Sequence, residues 1–448
     1  MAKKLLKNAI VIAVLISIIV ILFGKVYFGE DNNKLLYAYG LTVTSVVFFT
    51  FFLSYTRYED PSEKIRRKES YKNLRKPLVS CVLAVRNEEN IIKDCINSFL
   101  RSTYKNKEII IVNDASTDKT KEVLESYNKY PEVRVINLKE NVGKKKAIGQ
   151  GIRVSKGELF VFTDSDSIVA KDAIERIVEI FVSNPSVGGV SGHGRALNSK
   201  DNFLTKMQDS WYETQFSIKK ALESSYGAVT CVSGPLAVFR REAIYNYIPA
   251  WENDTFLGQE FKFATDRQLT GYVLGSKYIG KKLKEKYKDS PFVNEINYPT
   301  RDWKVIYCKS AKVWTVVPNT FKKVVRQHVR WKKSFIRNLF FTGGFYWRKP
   351  VVPAARYYLG ALFTIFGPFI AFRHLIYLPY SGNIMSGVYY LSGILFIGAL
   401  YGIAFKIENP DSHIWIYRPF MSLFSTLILS WLIFYSMITI KKMVWHRG

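Results

Sequence analysis

Cysteine is scarce in this chain of 448 residues: there are four, Cys81, Cys95, Cys231 and Cys308, and no two form a C-x-x-C pair. That scatter excludes a disulfide framework and a thiolate zinc site, and it fits reduced thiols in the cytosol. Acidic residues are also few, 37 against 65 basic ones, leaving a net charge of +28. Such an excess has three ordinary partners: nucleic acid, anionic lipid, or acidic substrates and products. No helix-turn-helix, zinc-finger or aromatic RNA-binding pattern is present, so nucleic acid is not expected. The larger share of the charge is read as the cytosolic flanks of membrane segments.

Long uncharged runs stand at both ends. Residues 8–24 carry no charge between Lys7 and Lys25, about the shortest run that crosses roughly 30 Å of hydrocarbon, and Lys25 can snorkel to lengthen it. A second run, 35–56, follows a polar turn with Glu30, Asp31, Asn32 and Asn33. Two runs so close together favour retained helices over a cleaved signal peptide, despite Lys3, Lys4 and Lys7. Arg57, Lys64, Arg66, Arg67 and Lys68 come next, which predicts a cytosolic N-terminus and middle. Apolar runs return at 357–372, 375–405 and 419–440, the first two expected to be broken by Pro368, Pro379 and the turn at 380–383. Three simple crossings would leave Lys441, Lys442 and Arg447 outside, so one segment is expected to be re-entrant or interfacial. The division expected is two membrane helices in 1–58, a cytosolic domain over 70–320, an interfacial helix over 321–350, membrane or interfacial helices over 351–440, and a short basic tail at 441–448. The whole is a multi-pass protein of the cell membrane.

Within the middle, apolar strands at 79–85, 108–112, 133–138 and 159–162 alternate with helical patterns at 88–101, 119–129 and 143–154. That alternation predicts an α/β domain with a doubly wound, mostly parallel sheet, whose ligands bind at the carboxyl ends of the strands. Asp114, Asp164 and Asp166 fall at such ends.

Each candidate has a bland explanation beside the chemical one. Asp164-x-Asp166 can share a hard divalent cation, Mg²⁺ or Mn²⁺, that neutralises a diphosphate; it can equally be a turn before a helix near Ala170. Lys144, with Lys145 and Lys146 after Gly143, opens a helix where N–H groups and ammonium charge can meet phosphate, or is a solvated basic turn. Cys231-Val232-Ser233-Gly234-Pro235 is a small-residue loop that admits close backbone approach, or an ordinary tight turn. Asp266 can serve as a general base, or cap a helix beside Arg267. Gln327, Arg330 and Trp331 share one face of a basic amphipathic helix, where arginine can hold diphosphate and the indole can stack on a sugar; a membrane-surface helix explains the same pattern.

Taken in order, these motifs resemble the processive, inverting family 2 glycosyltransferases, the group of cellulose, chitin and hyaluronan synthases. The similarity is strongest to hyaluronan synthases, through Gly194-Arg195-Ala196-Leu197-Asn198, Cys231-Val232-Ser233-Gly234-Pro235-Leu236, Thr255-Phe256-Leu257-Gly258, Thr265-Asp266-Arg267-Gln268-Leu269-Thr270 and Arg330-Trp331-Lys332-Lys333-Ser334-Phe335. The resemblance implies a GT-A domain fused to transmembrane helices. It implies Asp114 at the uracil, Lys144 and Asp164 at the nucleotide, Asp166 on the metal, and Asp266 as base. Cys231, Ser233 and Gly234 would form the acceptor-side loop, with Gln327, Arg330 and Trp331 bordering diphosphate and acceptor.

The implied partners are UDP-GlcNAc and UDP-glucuronic acid, the growing polysaccharide and the lipid bilayer. The chain departs from the family at Thr265, where a first aspartate is usual, and at His328, where a second glutamine is usual. Residues 276–303 look longer than the family connection, and Trp445-His446-Arg447-Gly448 stands where a tryptophan-glycine-threonine motif is expected. These departures leave three readings of the product: hyaluronan, a chitin-like polymer made from UDP-GlcNAc alone, or no product from a silent nucleotide-sugar-binding membrane protein.

Overall fold

A computed structural model describes residues 2–28, 34–68 and 74–442. The polar turn expected at 30–33 and the departing motif at 445–448 lie outside the described residues.

Strands form where short apolar runs rich in β-branched and aromatic residues occur. Val79–Val85 (β1), Lys107–Asn113 (β2), Val133–Asn137 (β3) and Leu159–Phe162 (β4) line up as β3-β2-β1-β4, all parallel, with Val79 opposite both Lys107 and Leu159. Alternation then sends Val82, Ile110 and Val112 to one face and Cys81, Leu83, Ile109 and Ile111 to the other, and both faces are buried under helices. On one side lies the Ile92–Leu100 helix, with Ile92, Cys95, Ile96 and Phe99 inward; on the other lies Lys144–Val154, with Ala147, Ile148 and Ile152 inward. This half matches the parallel α/β reading, with helices a few residues shorter than their patterns.

The sheet then changes character. Ala237–Arg240 (β7) pairs antiparallel to both β4 and Val187–Ala196 (β6); Lys304–Thr315 (β10) runs parallel to β6 and carries the short Ser167–Val169 (β5) antiparallel at the edge. The full order is β3-β2-β1-β4-β7-β6-β10-β5, with four parallel neighbour pairs and three antiparallel ones. The helix expected near Ala170 after Asp166 is corrected here: β5 intervenes, because Ser167–Val169 finds the end of β10, and the helix begins at Ala173.

Among the described residues four helices are long and apolar enough to cross a membrane: 37–66, 351–380, 385–408 and 414–438. In the first helix, Ala2–Phe28, the apolar part is the shorter Val11–Gly24. Pro368 does not break its segment; the Val351–Phe372 helix runs through it and widens only at Arg373–Tyr377. The basic Phe321–Phe341 helix joins the sheet domain to these segments.

Candidate active site

The carboxyl ends of β2 and β4 open onto one cleft. Asp114, just past β2, is buried, and its carboxylate accepts the backbone N–H groups of Val142 (2.7 Å) and Gly143 (3.0 Å). Gly143 has φ of +87°, a conformation that a side chain disfavours, and it starts the helix led by Lys144. Asp114 therefore sets the turn from which Lys144 reaches across to Asp164, Nζ to Oδ1 2.5 Å. Burial alone would lower the Lys144 pKa, but Asp164, then Asp166 and Asp266, outweigh it and hold the ammonium above its usual range.

Asp166 is held from the far side of the sheet. The Thr315 hydroxyl at the end of β10 donates to its Oδ1 at 3.1 Å. Burial first, and then the charge of Asp164, raise its pKa; Thr315 and Lys144 oppose the shift. Two carboxylates crowded in this way are hard oxygen donors whose repulsion a divalent cation would relieve, so the pair fits Mg²⁺ or Mn²⁺. Among the described residues no group of three or more His, Cys, Asp or Glu side chains is arranged to hold an ion. Substrate oxygens would have to complete the coordination, as is usual for Mg²⁺ beside phosphate.

Asp266 stands in the first turn of the Thr265–Lys286 helix, after Ala264 in the left-handed region. Its Oδ2 accepts the Gly234 N–H (3.1 Å) and the Cys231 thiol (3.4 Å). Ser233 between them accepts from Lys220 Nζ at 2.5 Å. The small-residue loop thus wraps the carboxylate. It must be small at Gly234, because a Cβ there would stand 2.9 Å from Asp164 Oδ2. Asp266 and Lys144 line one small cavity with Gly234, Trp251 and Phe162.

From the Phe321–Phe341 helix, Arg330 faces the same charges: burial lowers its pKa, while Asp164, Tyr212 and Asp166 act in the opposite sense. Trp331 stacks on Trp211 with ring centroids 5.8 Å apart and planes 18° off parallel. Among the described residues the buried Gln327 Oε1 has no hydrogen-bond partner. His328, at the position of the usual second glutamine, packs edge-on to Trp331 at 4.9 Å; burial and Lys332 depress its pKa to about 3, so it is a neutral ring in the stack.

Lys144, Asp164, Gly234 and Asp266 meet through direct contacts or a shared cavity, Cys231 and Ser233 flank them, and Arg330 faces Asp164 and Asp166; among the described residues no contact joins Gln327 to this group. Trp211, Tyr212, Lys220 and Thr315 are added to it by the fold alone, and no spacing in the sequence marks them.

Residues 80–248 match the family model Glycosyl transferase family 2. Over that stretch the chain is similar to family 2 glycosyltransferases. The match ends before Asp266 and the Gln327-x-x-Arg330-Trp331 motif, so these candidates rest on the geometry above. An N-acetylglucosaminyltransferase of Rhizobium meliloti is 31% identical over 268 residues, 59% of this chain and 57% of that protein, so the match spans little more than half of the relative's length. A hyaluronan synthase of Streptococcus pyogenes is 28% identical over 384 residues, 82% of each chain. A solved mannosyltransferase of Pyrobaculum calidifontis, in complex with GDP-Man and Mn²⁺, is 16% identical with a TM-score of 0.49, over 90% of this chain and 99% of that one.

Proposed function

We propose that this glycosyltransferase is a membrane-integrated, processive, inverting polysaccharide synthase that works from the cytosolic side. By this reading it polymerises UDP-GlcNAc and UDP-glucuronic acid into hyaluronan and passes the chain outward between its apolar helices. The observation that carries the reading is the meeting of Lys144, Asp164, Asp166, Asp266 and Arg330 on one cleft, although they come from four separate stretches of sequence.

In the proposed mechanism Asp266 takes the proton of the acceptor hydroxyl as that oxygen attacks the anomeric carbon, on the face opposite the departing UDP. The Gly234 N–H and the Cys231 thiol orient the carboxylate by occupying Oδ2. Lys144 and Arg330 meet the negative charge that gathers on the diphosphate as the bond breaks, and the surrounding burial strengthens both interactions. Asp166, beside Asp164, would hold Mg²⁺ or Mn²⁺, which when bound neutralises diphosphate charge. Trp331, braced by Trp211, offers its ring to the acceptor sugar. Asp114 touches the uracil side, its carboxylate keeping lone pairs beyond the two backbone bonds it accepts.

A second reading keeps the chemistry and changes the product to a chitin-like polymer of N-acetylglucosamine; the relative named N-acetylglucosaminyltransferase favours it. Purified protein with metal is to be given the two donors singly and together, UDP release followed, and any polymer digested with a hyaluronan lyase and, separately, a chitinase. Polymer only with both donors, sensitive to the lyase, supports hyaluronan. Polymer from UDP-GlcNAc alone supports the second reading, and no UDP release under any pairing means a silent protein. Asp266→Asn should lose about a hundredfold or more of turnover while still binding UDP; full activity in this variant refutes Asp266 as base.

A further inference from the structure

A second cavity, of about 310 Å³, lies apart from the catalytic one. Gly149 and Arg153 line it from the Lys144–Val154 helix, Glu252 and Asn253 from the end of the Ile248–Glu252 helix, and Tyr287 and Phe292 from the long connection over 276–303. Lys144 and Ile148 line the catalytic cavity, whereas Arg153, roughly half a turn round the same helix, lines this one. Its volume falls at the lower end of the ~300–1,000 Å³ usual for small-ligand pockets. The wall from the long connection is held in place. The buried Asn246 donates to the carbonyls of Phe292 (2.7 Å) and Ile296 (2.6 Å) and accepts the Tyr298 N–H at 2.8 Å.

One group in this cavity is out of balance. The Glu252 carboxyl lies so close over Gly149 that a Cβ there would collide with Oε1, and glycine is what admits it. Among the described residues this carboxyl has no hydrogen-bond or ion-pair partner, in a chain with 65 basic residues. Every cation of the adjoining helix is engaged elsewhere: Lys144 with Asp164, Lys145 with Asp254, Lys146 with Glu260 at 3.8 Å, and Arg153 with Glu295 at 3.3 Å. Burial raises the Glu252 pKa to about 7, against the pull of Lys146. A desolvated carboxyl of this kind is stabilised by a cation that also donates hydrogen bonds. The rest of the lining suits one. Asn253 gives its Nδ2 to the Pro249 carbonyl at 2.9 Å and keeps its side-chain oxygen as an acceptor, while Tyr287 and Phe292 supply aromatic rings.

We propose that this cavity binds a small organic ammonium ion, its N–H groups donating to the Glu252 carboxylate and its hydrocarbon part lying against Tyr287 and Phe292. The site goes beyond the polysaccharide-synthase reading and does not depend on it. It adjoins the chemistry all the same: Trp251, next to Glu252, lines the catalytic cavity and donates from Nε1 to the Thr265 carbonyl at 2.8 Å, one residue before Asp266.

The test is ligand-dependent thermal unfolding, which needs no turnover. Full-length protein in nanodiscs of neutral lipid is melted with increasing n-butylammonium chloride, with 1-butanol, and with sodium chloride at equal ionic strength. Butylammonium should raise the melting temperature saturably, with an apparent affinity about tenfold or more above that of butanol, as a charge-assisted hydrogen bond allows. The ion selects ionised Glu252, about a tenth of the population at pH 6 and about nine-tenths at pH 8, so it should bind about tenfold more tightly at pH 8. Glu252→Gln should remove both the preference and the pH dependence. That outcome excludes Lys146, Arg153 and Tyr287, and the partners Glu260 and Glu295, as the source; cooperative melting of the variant shows that it is folded. Equal stabilisation by butylammonium and butanol, no saturable shift at pH 8, or a preference that survives in Glu252→Gln overturns the site.

Discussion

At the scale of single residues, the cleft works through contacts too short to loosen. Gly234 is wedged between the two halves of the site: its N–H holds Asp266, and its Cα leaves no room for a methyl group beside Asp164. Gly234→Ala should therefore lower turnover by about tenfold to a hundredfold, the cost of misplacing a reacting group by an ångström or less, with the melting temperature little changed; steady-state UDP release and thermal unfolding measure the two. Glu252 offers a prediction of the other kind. Burial raises its pKa from 4.5 to about 7, against the pull of Lys146. The folded protein then keeps a proton that the unfolded chain has already released, so stability falls as pH rises through that interval. Glu252→Gln should raise the melting temperature at pH 8 and leave it unchanged at pH 4.5. An equal effect at both pH values would remove burial of the charge as the cause.

At the scale of elements, one buried ion network joins pieces that have no sequence relation. Asp254 stands before the Thr255–Phe256 and Gln259–Glu260 hairpin and takes Arg337 Nη2 at 2.6 Å from the Phe321–Phe341 helix. It also pairs with Lys145 at 3.5 Å, and Lys145 in turn bonds Gln268 of the Thr265–Lys286 helix at 2.9 Å. The Lys144–Val154, Thr265–Lys286 and Phe321–Phe341 helices are thus tied together through one aspartate. Asp254→Ala would strand two buried cations at a cost of about 3–5 kcal/mol. Its expected signature is a large fall in melting temperature together with a loss of turnover, whereas Arg337→Ala with Asp254→Ala should recover part of the stability.

At the scale of the whole molecule, the sheet domain is bolted to the apolar helices by charge as well as by packing. Arg195 on β6 makes two bonds of 2.8 Å to Asp209, reaches Glu213 at 3.1 Å, and extends to Asn409 at the end of the Met385–Glu408 helix at 2.8 Å. His193 adds Tyr307 and Glu213 to the same network, and His193 with Arg195 holds the Glu213 carboxyl well below its usual range despite burial. Arg195→Ala leaves two buried carboxylates short of a cation and removes the link to the helix. The expected result is a melting temperature several degrees lower and easier proteolysis between sheet domain and helices, with UDP affinity, read by calorimetry, less affected because the nucleotide end of the cleft is remote from β6.

Much of this was legible in one dimension, and the reason is locality. Short, nearly continuous apolar runs mark β1 to β4, helical stripes such as Ile92, Cys95, Ile96 and Phe99 mark what covers them, and uncharged stretches of spanning length mark the apolar helices. Asp114, Asp164 and Asp166 could be read as site residues because a parallel sheet delivers strand ends to one edge, whatever the connections between them. What the chain order could not state is which distant pieces meet there. Thr315 reaches Asp166 only through the pairing of β10 with β5. Lys220 and Trp211 arrive on a helical segment whose facing depends on packing against β6 and the Phe321–Phe341 helix. The antiparallel turn of the sheet at β7 depends on partners far along the chain. Residue pattern sets what each segment becomes; the neutralising of charges between segments, at Asp254 and at Arg195, exists only once the tertiary structure has brought them within a few ångströms.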